Sequence, residues 1–320
     1  MTTANMPQLD QLQVVVSDIA THRAVVSVSA SRHDTLLQQW LDDGEIEASI
    51  RGPRCELSRT LPAGFTLRPA KLGDRSILRC VVTDPSFWSG DLPAIYDVTI
   101  TRKAAGIAPS TTKRSLGVRP LGRSRGYLTR EGKVWIPRLV ACDTVPASSL
   151  VDSFREQVLG ALIDLGGDAT IAAQFLAAAS QRGCYSVAHC CAASEAELLE
   201  QVVLARQFPA VMMACFPANI TISERLRDAA LGLMLAYRVD RSTDLAALDR
   251  GGISALVICG TSAGEITELA HAANFRGPIL AQLADGQHTD LAAARAACDQ
   301  LQRDLAALPN RYLPIAGLVV

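Results

Sequence analysis

The second half of the chain alternates short apolar runs with amphipathic stretches, and that alternation narrows the folds open to it. Apolar runs at 185–189, 209–215, 231–236, 255–259 and 278–283 are each too short for a helix. Helical patterns at 195–206, 222–230, 242–249, 263–273 and 290–305 follow them in turn. Upstream, 134–140 is an apolar strand ending at Asp143. Ser148-Ser149 starts a helical pattern whose apolar positions are Leu150, Val151, Phe154, Val158, Leu159, Leu162 and Ile163, closed by Gly166-Gly167. A weak second strand is expected at 168–172, a helix at 175–182 and a last strand within 313–320. Strands that alternate with helices must lie parallel, joined by right-handed crossovers. Eight such strands predict a compact, closed (β/α)8 TIM-like barrel. The alternative is an open, doubly wound sheet of six or seven strands.

The first half has a different period. Leu12, Val14 and Val16 share one face, and Gln13, Val15 and Ser17 the other. Runs at 24–30, 45–50, 76–82 and 94–101 are further strands, separated by Asp42-Asp43-Gly44, Gly52-Pro53 and Leu72-Gly73-Asp74. The segment 34–41 is one helical turn or a loop, and 104–112 reads as a flexible loop. Short strands at this spacing predict an antiparallel sandwich. The expected fold class is therefore multidomain β plus α/β. A disordered tail (1–9) precedes an immunoglobulin-like β-sandwich (10–130) and a TIM-like (β/α)8 barrel (131–320).

Composition removes several classes of function. Across 320 residues the net charge is −1, which gives no electrostatic case for nucleic acid. No apolar run approaches the roughly 20 residues that span a bilayer. The first thirteen residues are polar and lack a signal-peptide core. Nine scattered cysteines suit a reducing compartment, so a cytoplasmic location is expected. Oligomeric state is not legible.

Four ordered segments carry a more specific signal. Asp84-Pro85-Ser86-Phe87-Trp88-Ser89-Gly90-Asp91-Leu92-Pro93-Ala94-Ile95-Tyr96 places an aromatic pair, a proline and a strand-opening tyrosine in one turn. Leu116-Gly117-Val118-Arg119 follows, then the run from Glu131-Gly132-Lys133 to Arg138-Leu139, then Phe208-Pro209 to Ala218-Asn219. In order and spacing these resemble glycoside hydrolase family 2, over about residues 76 to 285. The resemblance implies an immunoglobulin-like domain joined to a catalytic barrel, without the family's N-terminal sugar-binding jelly roll. It implies hydrolysis of O-glycosidic bonds as the ancestral activity.

That activity needs two carboxylates at the strand ends. In the family these are Glu residues after the fourth and at the end of the seventh strand. Here the fourth-strand position falls on Asn219 or Ile220, and the seventh on Gln282 or Leu283. The histidine that follows the family's first strand is replaced within Ala141-Cys142-Asp143. The resemblance thus implies a degenerate member, a pseudoenzyme that binds carbohydrate or acts as a scaffold. Residues placed near the barrel mouth are Asp143, His189, Asn219, Asp240, Gln282 and Asp285, with binding assigned to Asp143, His189, Asn219 and Gln282. An active hydrolase would need relocated carboxylates, and Asp240, Asp285 and Asp143 are the candidates. Each of these aspartates equally suits a turn or helix cap. A third reading is a protein-interaction module.

Two other clusters have plain explanations. His189-Cys190-Cys191 lacks the ligand spacing of a zinc site and reads as a buried histidine among packed thiols. Gly260-Thr261-Ser262-Ala263-Gly264-Glu265 is neither a Walker A nor a dinucleotide motif and reads as a capped strand-to-helix turn. No metal and no cofactor is expected. The arginines between Arg119 and Arg130 form a basic stripe on a solvated hairpin.

Overall fold

The computed structural model describes residues 9–284, 290–308 and 313–320. The chain divides into two compact units between Arg119 and Pro120. That boundary falls earlier than the one expected after residue 130. Of the expected tail, residues 1–8 lie outside the described residues, whereas Leu9 opens a short 3-10 turn and is buried.

The first unit holds β1 (Gln13–Ala20), β2 (Arg23–Ser29), β3 (Ile46–Arg54), β4 (Ala63–Thr66), β5 (Arg68–Leu72), β6 (Arg75–Thr83), β7 (Ile95–Arg102) and β8 (Ser110–Leu116). They form two antiparallel sheets of four strands, ordered β1-β2-β6-β5 and β4-β3-β7-β8. Both sheets bury one core that includes Leu12, Val26, Val28, Ile50, Leu78, Val82, Val98 and Ile100. The alternation read from Leu12 to Ser17 and Ala24 to Ala30 is the physical cause, since one face of each strand is apolar. Residues 35–42 form the helix α1 (Thr35–Asp42), capped by Asp34, whose carboxylate accepts from the Leu37 amide at 2.9 Å. It closes the core with Leu37, Trp40 and Leu41. The expected loop at 104–112 is only partly a loop, because its last residues open β8, which pairs with β7 through residue 116.

Tyr96 sits at the start of β7 and is 1% exposed. Its hydroxyl accepts a 2.8 Å hydrogen bond from the Ser86 amide. Trp88, also buried, donates its amide to the Val118 carbonyl at 2.8 Å. The aromatic turn noted in the sequence therefore ties the strand β7 to the chain on either side of it.

The second unit begins with a small sheet of β9 (Leu121–Ser124), β10 (Tyr127–Arg130) and β11 (Lys133–Val134). A closed parallel barrel follows: β12 (Arg138–Cys142), β13 (Gly160–Asp164), β14 (Ser186–His189), β15 (Val211–Pro217), β16 (Met234–Val239), β17 (Ala255–Gly260), β18 (Ile279–Leu283) and β19 (Ile315–Val319). The first and last strands close it, with Leu139 in register with Val319 and the Val320 amide donating to the Leu139 carbonyl at 3.1 Å. Closure excludes the open doubly wound alternative. The connecting helices among the described residues are α2 (Val151–Glu156), α3 (Ala169–Arg182), α4 (Glu195–Ala205), α5 (Glu224–Ala229), α6 (Ala263–Ala273) and α7 (Leu291–Ala307). No described helix is long and apolar enough to cross a membrane.

Three expected elements are corrected. The helix expected to run from Ser148 to Ile163 stops at Glu156, and its last apolar residues are strand β13 instead. Val158 adopts a left-handed backbone with φ 54°, which ends any helix there. A barrel strand is buried on both faces, so Leu159 to Ile163 read as a continuous apolar run that periodicity cannot tell from a helix. The expected second strand at 168–172 is the start of α3. Its N-cap, Asp168, accepts from the Thr170 and Ile171 amides at 2.7 and 3.3 Å. The fifth helix expected at 242–249 does not form. Asp244 accepts from the Ala246 and Ala247 amides, and one capped turn there goes no further before Gly251-Gly252.

Candidate functional site

Parallel strands in register project matched residues to the same side. Asp164 on β13 is in register with His189 on β14, and His189 with Cys215 on β15. Cys259 on β17 is in register with Gln282 on β18. Arg238 on β16 continues the same parity, two residues after Ala236, the partner of Cys215. Its side chain passes over β17 to donate to Gln282 Oε1 at 3.2 Å and to Cys259 Sγ at 3.7 Å. Contacts between non-adjacent strands on this face put the group inside the barrel, at the C-terminal ends of the strands. Chemistry sits at that end in barrels of this kind.

Asp164 and His189 form the second half of the group. Asp164 Oδ2 lies 3.5 Å from His189 Nδ1, and its Oδ1 accepts from the Gly166 amide at 2.7 Å. The His189 imidazole, followed by the Gly166 amide and the more distant charge of Arg238, holds the Asp164 carboxyl below its ordinary range against the opposing pull of partial burial. The other imidazole nitrogen, Nε2, is buried and has no hydrogen-bond partner among the described residues. The His189 side chain is 9% exposed and that of Asp164 is 41% exposed, so solvent reaches the carboxylate. Burial pushes the Cys215 thiol up to about 12, with Arg238 pulling the other way.

The residues expected at the mouth separate into two groups. His189 and Gln282 both face the inside of the barrel, and Gln282 is buried and engaged by Arg238. Asp143 and Asn219 are exposed in the segments after β12 and β15. Asp240, also exposed, accepts from the Ser242 hydroxyl at 2.6 Å, the Ser242 amide at 2.9 Å and the Thr243 hydroxyl at 3.1 Å. Those bonds, led by the Ser242 hydroxyl, hold its carboxyl below its ordinary range. They make it the anchor of its own turn. Asp285 lies outside the described residues.

Two members of the group were not anticipated. Asp164 was assigned to a helix, so its place at a strand end was hidden. Arg238 carried a signal that could have found it, being a lone cation within the apolar run of β16. The turn after β17 is capped as expected. Ser262 accepts from the Glu265 amide, and Glu265 accepts from the Thr261 amide and hydroxyl at 2.8 and 2.7 Å. Among the described residues, no three His, Cys, Asp or Glu side chains gather to hold a metal ion.

An eight-stranded parallel barrel with a polar mouth, preceded by antiparallel sheets, is an architecture shared with known glycosidases. The β-D-glucuronidase of Dictyoglomus thermophilum matches with a TM-score of 0.59 at 10% identity, covering 97% of this chain and 61% of that one. The Parabacteroides merdae β-glucuronidase matches with a TM-score of 0.58 at 12% identity, over 97% of this chain and 46% of that one. A β-glycosidase from Bacteroides vulgatus gives 0.58 at 11% identity, over 86% and 38%. The chain thus spans less than two thirds of the length of each. At these identities the likeness shows the fold alone, one shared with solved β-glucuronidases and a β-glycosidase. No protein-family model matches the sequence, and no curated protein matches it.

Proposed function

We propose that this protein is a degenerate relative of the family 2 glycoside hydrolases, one that binds carbohydrate or serves as a scaffold and no longer hydrolyses glycosides. The observation that carries this is Gln282. At the strand end where the family resemblance calls for the nucleophile, a buried amide accepts a hydrogen bond from Arg238. An amide cannot attack an anomeric carbon, and hydrolysis of this type needs a carboxylate there. Asn219, at or beside the acid/base position, is an exposed amide. Carbohydrate would enter at Asp143, His189, Asn219 and Gln282, extended by Asp164 and Arg238.

The first unit is on this reading an immunoglobulin-like domain. Its strand orders, β1-β2-β6-β5 and β4-β3-β7-β8, support it, corresponding to A-B-E-D and C′-C-F-G. The Tyr96–Ser86 bond supports it too, in the manner of a tyrosine corner. Nine free cysteines support a reducing, cytoplasmic location.

The test is turnover of 4-nitrophenyl β-D-glucosides, galactosides and glucuronides by the purified chain. No release above the uncatalysed rate is expected. Turnover that disappears in Asp164→Asn, Asp240→Asn or Asp285→Asn would establish relocated carboxylates and sink the proposal. One observation favours that second reading: Asp164 is a solvent-reached carboxylate at the mouth, backed by a histidine.

A further inference from the structure

Arg238 is a cation inside the barrel mouth whose acceptors, Gln282 Oε1 and Cys259 Sγ, are both uncharged. It makes no ion pair among the described residues. A guanidinium in a partly buried setting ordinarily meets a carboxylate or phosphate, for which its planar fork is shaped. The two carboxylates in electrostatic reach are already engaged, Asp164 by His189 and the Gly166 amide, and Asp240 by Ser242 and Thr243, and neither stands at ion-pair distance. Gln282 orients the guanidinium through Nε and leaves its charge intact. A glutamate at 282 would instead stand at ion-pair distance and cancel it. The substitution that removes a nucleophile therefore also frees a cation.

We infer that the barrel mouth recognises a small ligand through an acidic group, a carboxylate or a phosphate, seated on Arg238. His189 Nε2, buried on the same face and unpartnered among the described residues, is the second polar atom available to that ligand. Gln282 is a positioning residue for Arg238. The inference rests on the carbohydrate reading above for the remainder of the ligand, and adds to it the sign of the ligand's charge.

The experiment is a ligand-observed NMR titration of the full chain with D-glucuronate, D-glucose and inorganic phosphate, read by ¹H for the sugars and ³¹P for phosphate. It is repeated on Arg238→Met, Gln282→Glu and Gln282→Leu, each checked for native far-UV circular dichroism. Glucuronate is expected to bind more tightly than glucose. Its affinity should fall about tenfold to a hundredfold in Arg238→Met, the range for losing hydrogen bonds to a charged group. Gln282→Glu should weaken it comparably, and Gln282→Leu, which adds no charge, should weaken it less. Glucose bound as tightly as glucuronate would overturn this inference and leave the carbohydrate reading standing. Unchanged glucuronate affinity in a folded Gln282→Glu chain would also overturn it. Arg238-dependent binding of phosphate, with neither sugar bound, would uphold the acidic-group inference and remove the sugar. Absence of binding by all three would remove both.

Discussion

Gly160 opens the strand that leads to Asp164, and replacing it tests how tightly that strand is seated. A Cβ built at Gly160 would lie against the Tyr185 carbonyl oxygen and 2.6 Å from Leu139 Cδ2. The leucine tip can rotate away, but the carbonyl belongs to the barrel, where Tyr185 O accepts the Ala161 amide at 3.0 Å. Overpacking that only backbone movement can relieve costs about 3 kcal/mol, the upper part of the usual range. Two other glycines calibrate it. At Gly317 the Cβ would meet Leu280 Cγ at 2.9 Å and Pro137 Cγ at 3.3 Å, both side-chain atoms. Gly317→Ala should therefore cost about 1 kcal/mol. At Gly167 nothing lies within 4 Å. Gly167→Ala should be neutral or stabilise by up to about 1 kcal/mol through the unfolded chain. Urea unfolding followed by circular dichroism at 222 nm ranks the three by midpoint at constant m. If Gly160→Ala unfolds within about 0.5 kcal/mol of Gly167→Ala, a typical scatter for surface changes, the seating of β13 argued from these contacts is wrong.

Tyr96→Phe keeps the buried ring and deletes only the acceptor of the Ser86 amide, so it should destabilise by about 1–2 kcal/mol in the same assay; no change would show that the bond is not formed. Native thiol labelling at pH 8 should modify Cys191, which is exposed, well before Cys142, Cys184 and Cys215, which burial pushes up to about 12; mass spectrometry of the labelled peptides reads the order, and early modification of Cys215 would contradict the packing. Because those three folded-state values lie above the unfolded one, their contribution to stability is complete below pH about 8.5 and is lost as the pH rises toward the folded value, so the unfolding midpoint should fall on the alkaline side.

The barrel was legible because its strands are apolar on both faces and its helices are capped by local chemistry. Ser194 and Glu197 form a reciprocal capping box at α4, and Gly183, with φ 80°, stops α3. Those signals act over a few residues and need no tertiary context. β13 was not legible for the opposite reason. Leu159, Leu162 and Ile163 satisfy a helical spacing with Phe154 and Val158, and only the left-handed Val158 and the crowding around Gly160 exclude the helix. The site inherited that error. Gln282 is legible from motif position and His189 from its place at the end of an expected strand, whereas Asp164 is concealed within the expected helix and Arg238 lies outside every motif. Asp143, Asn219 and Asp240 follow strands as expected, but a place after a strand does not decide whether a side chain faces the mouth or its own loop. The hydroxyls of Ser242 and Thr243 draw Asp240 into its turn, and they stand too close in sequence to be recognised as competitors without coordinates.

On the proposed reading, Arg238 changes how the absence of carboxylates at 219 and 282 is understood. Two unrelated losses, at 219 and 282, would leave a barrel mouth of undirected polar groups. The mouth instead contains two linked pairs, Asp164 with His189 and Arg238 with Gln282, joined by the charge coupling between Asp164 and Arg238. Each pair has one member below the surface, His189 and Gln282, and one in reach of solvent, Asp164 and Arg238. Most buried polar groups are hydrogen-bonded, and an amide at 282 satisfies Arg238 without neutralising it. On the proposed reading, the glutamine fits its surroundings as the residue that this arginine requires, and the mouth is a site rebuilt around a cation.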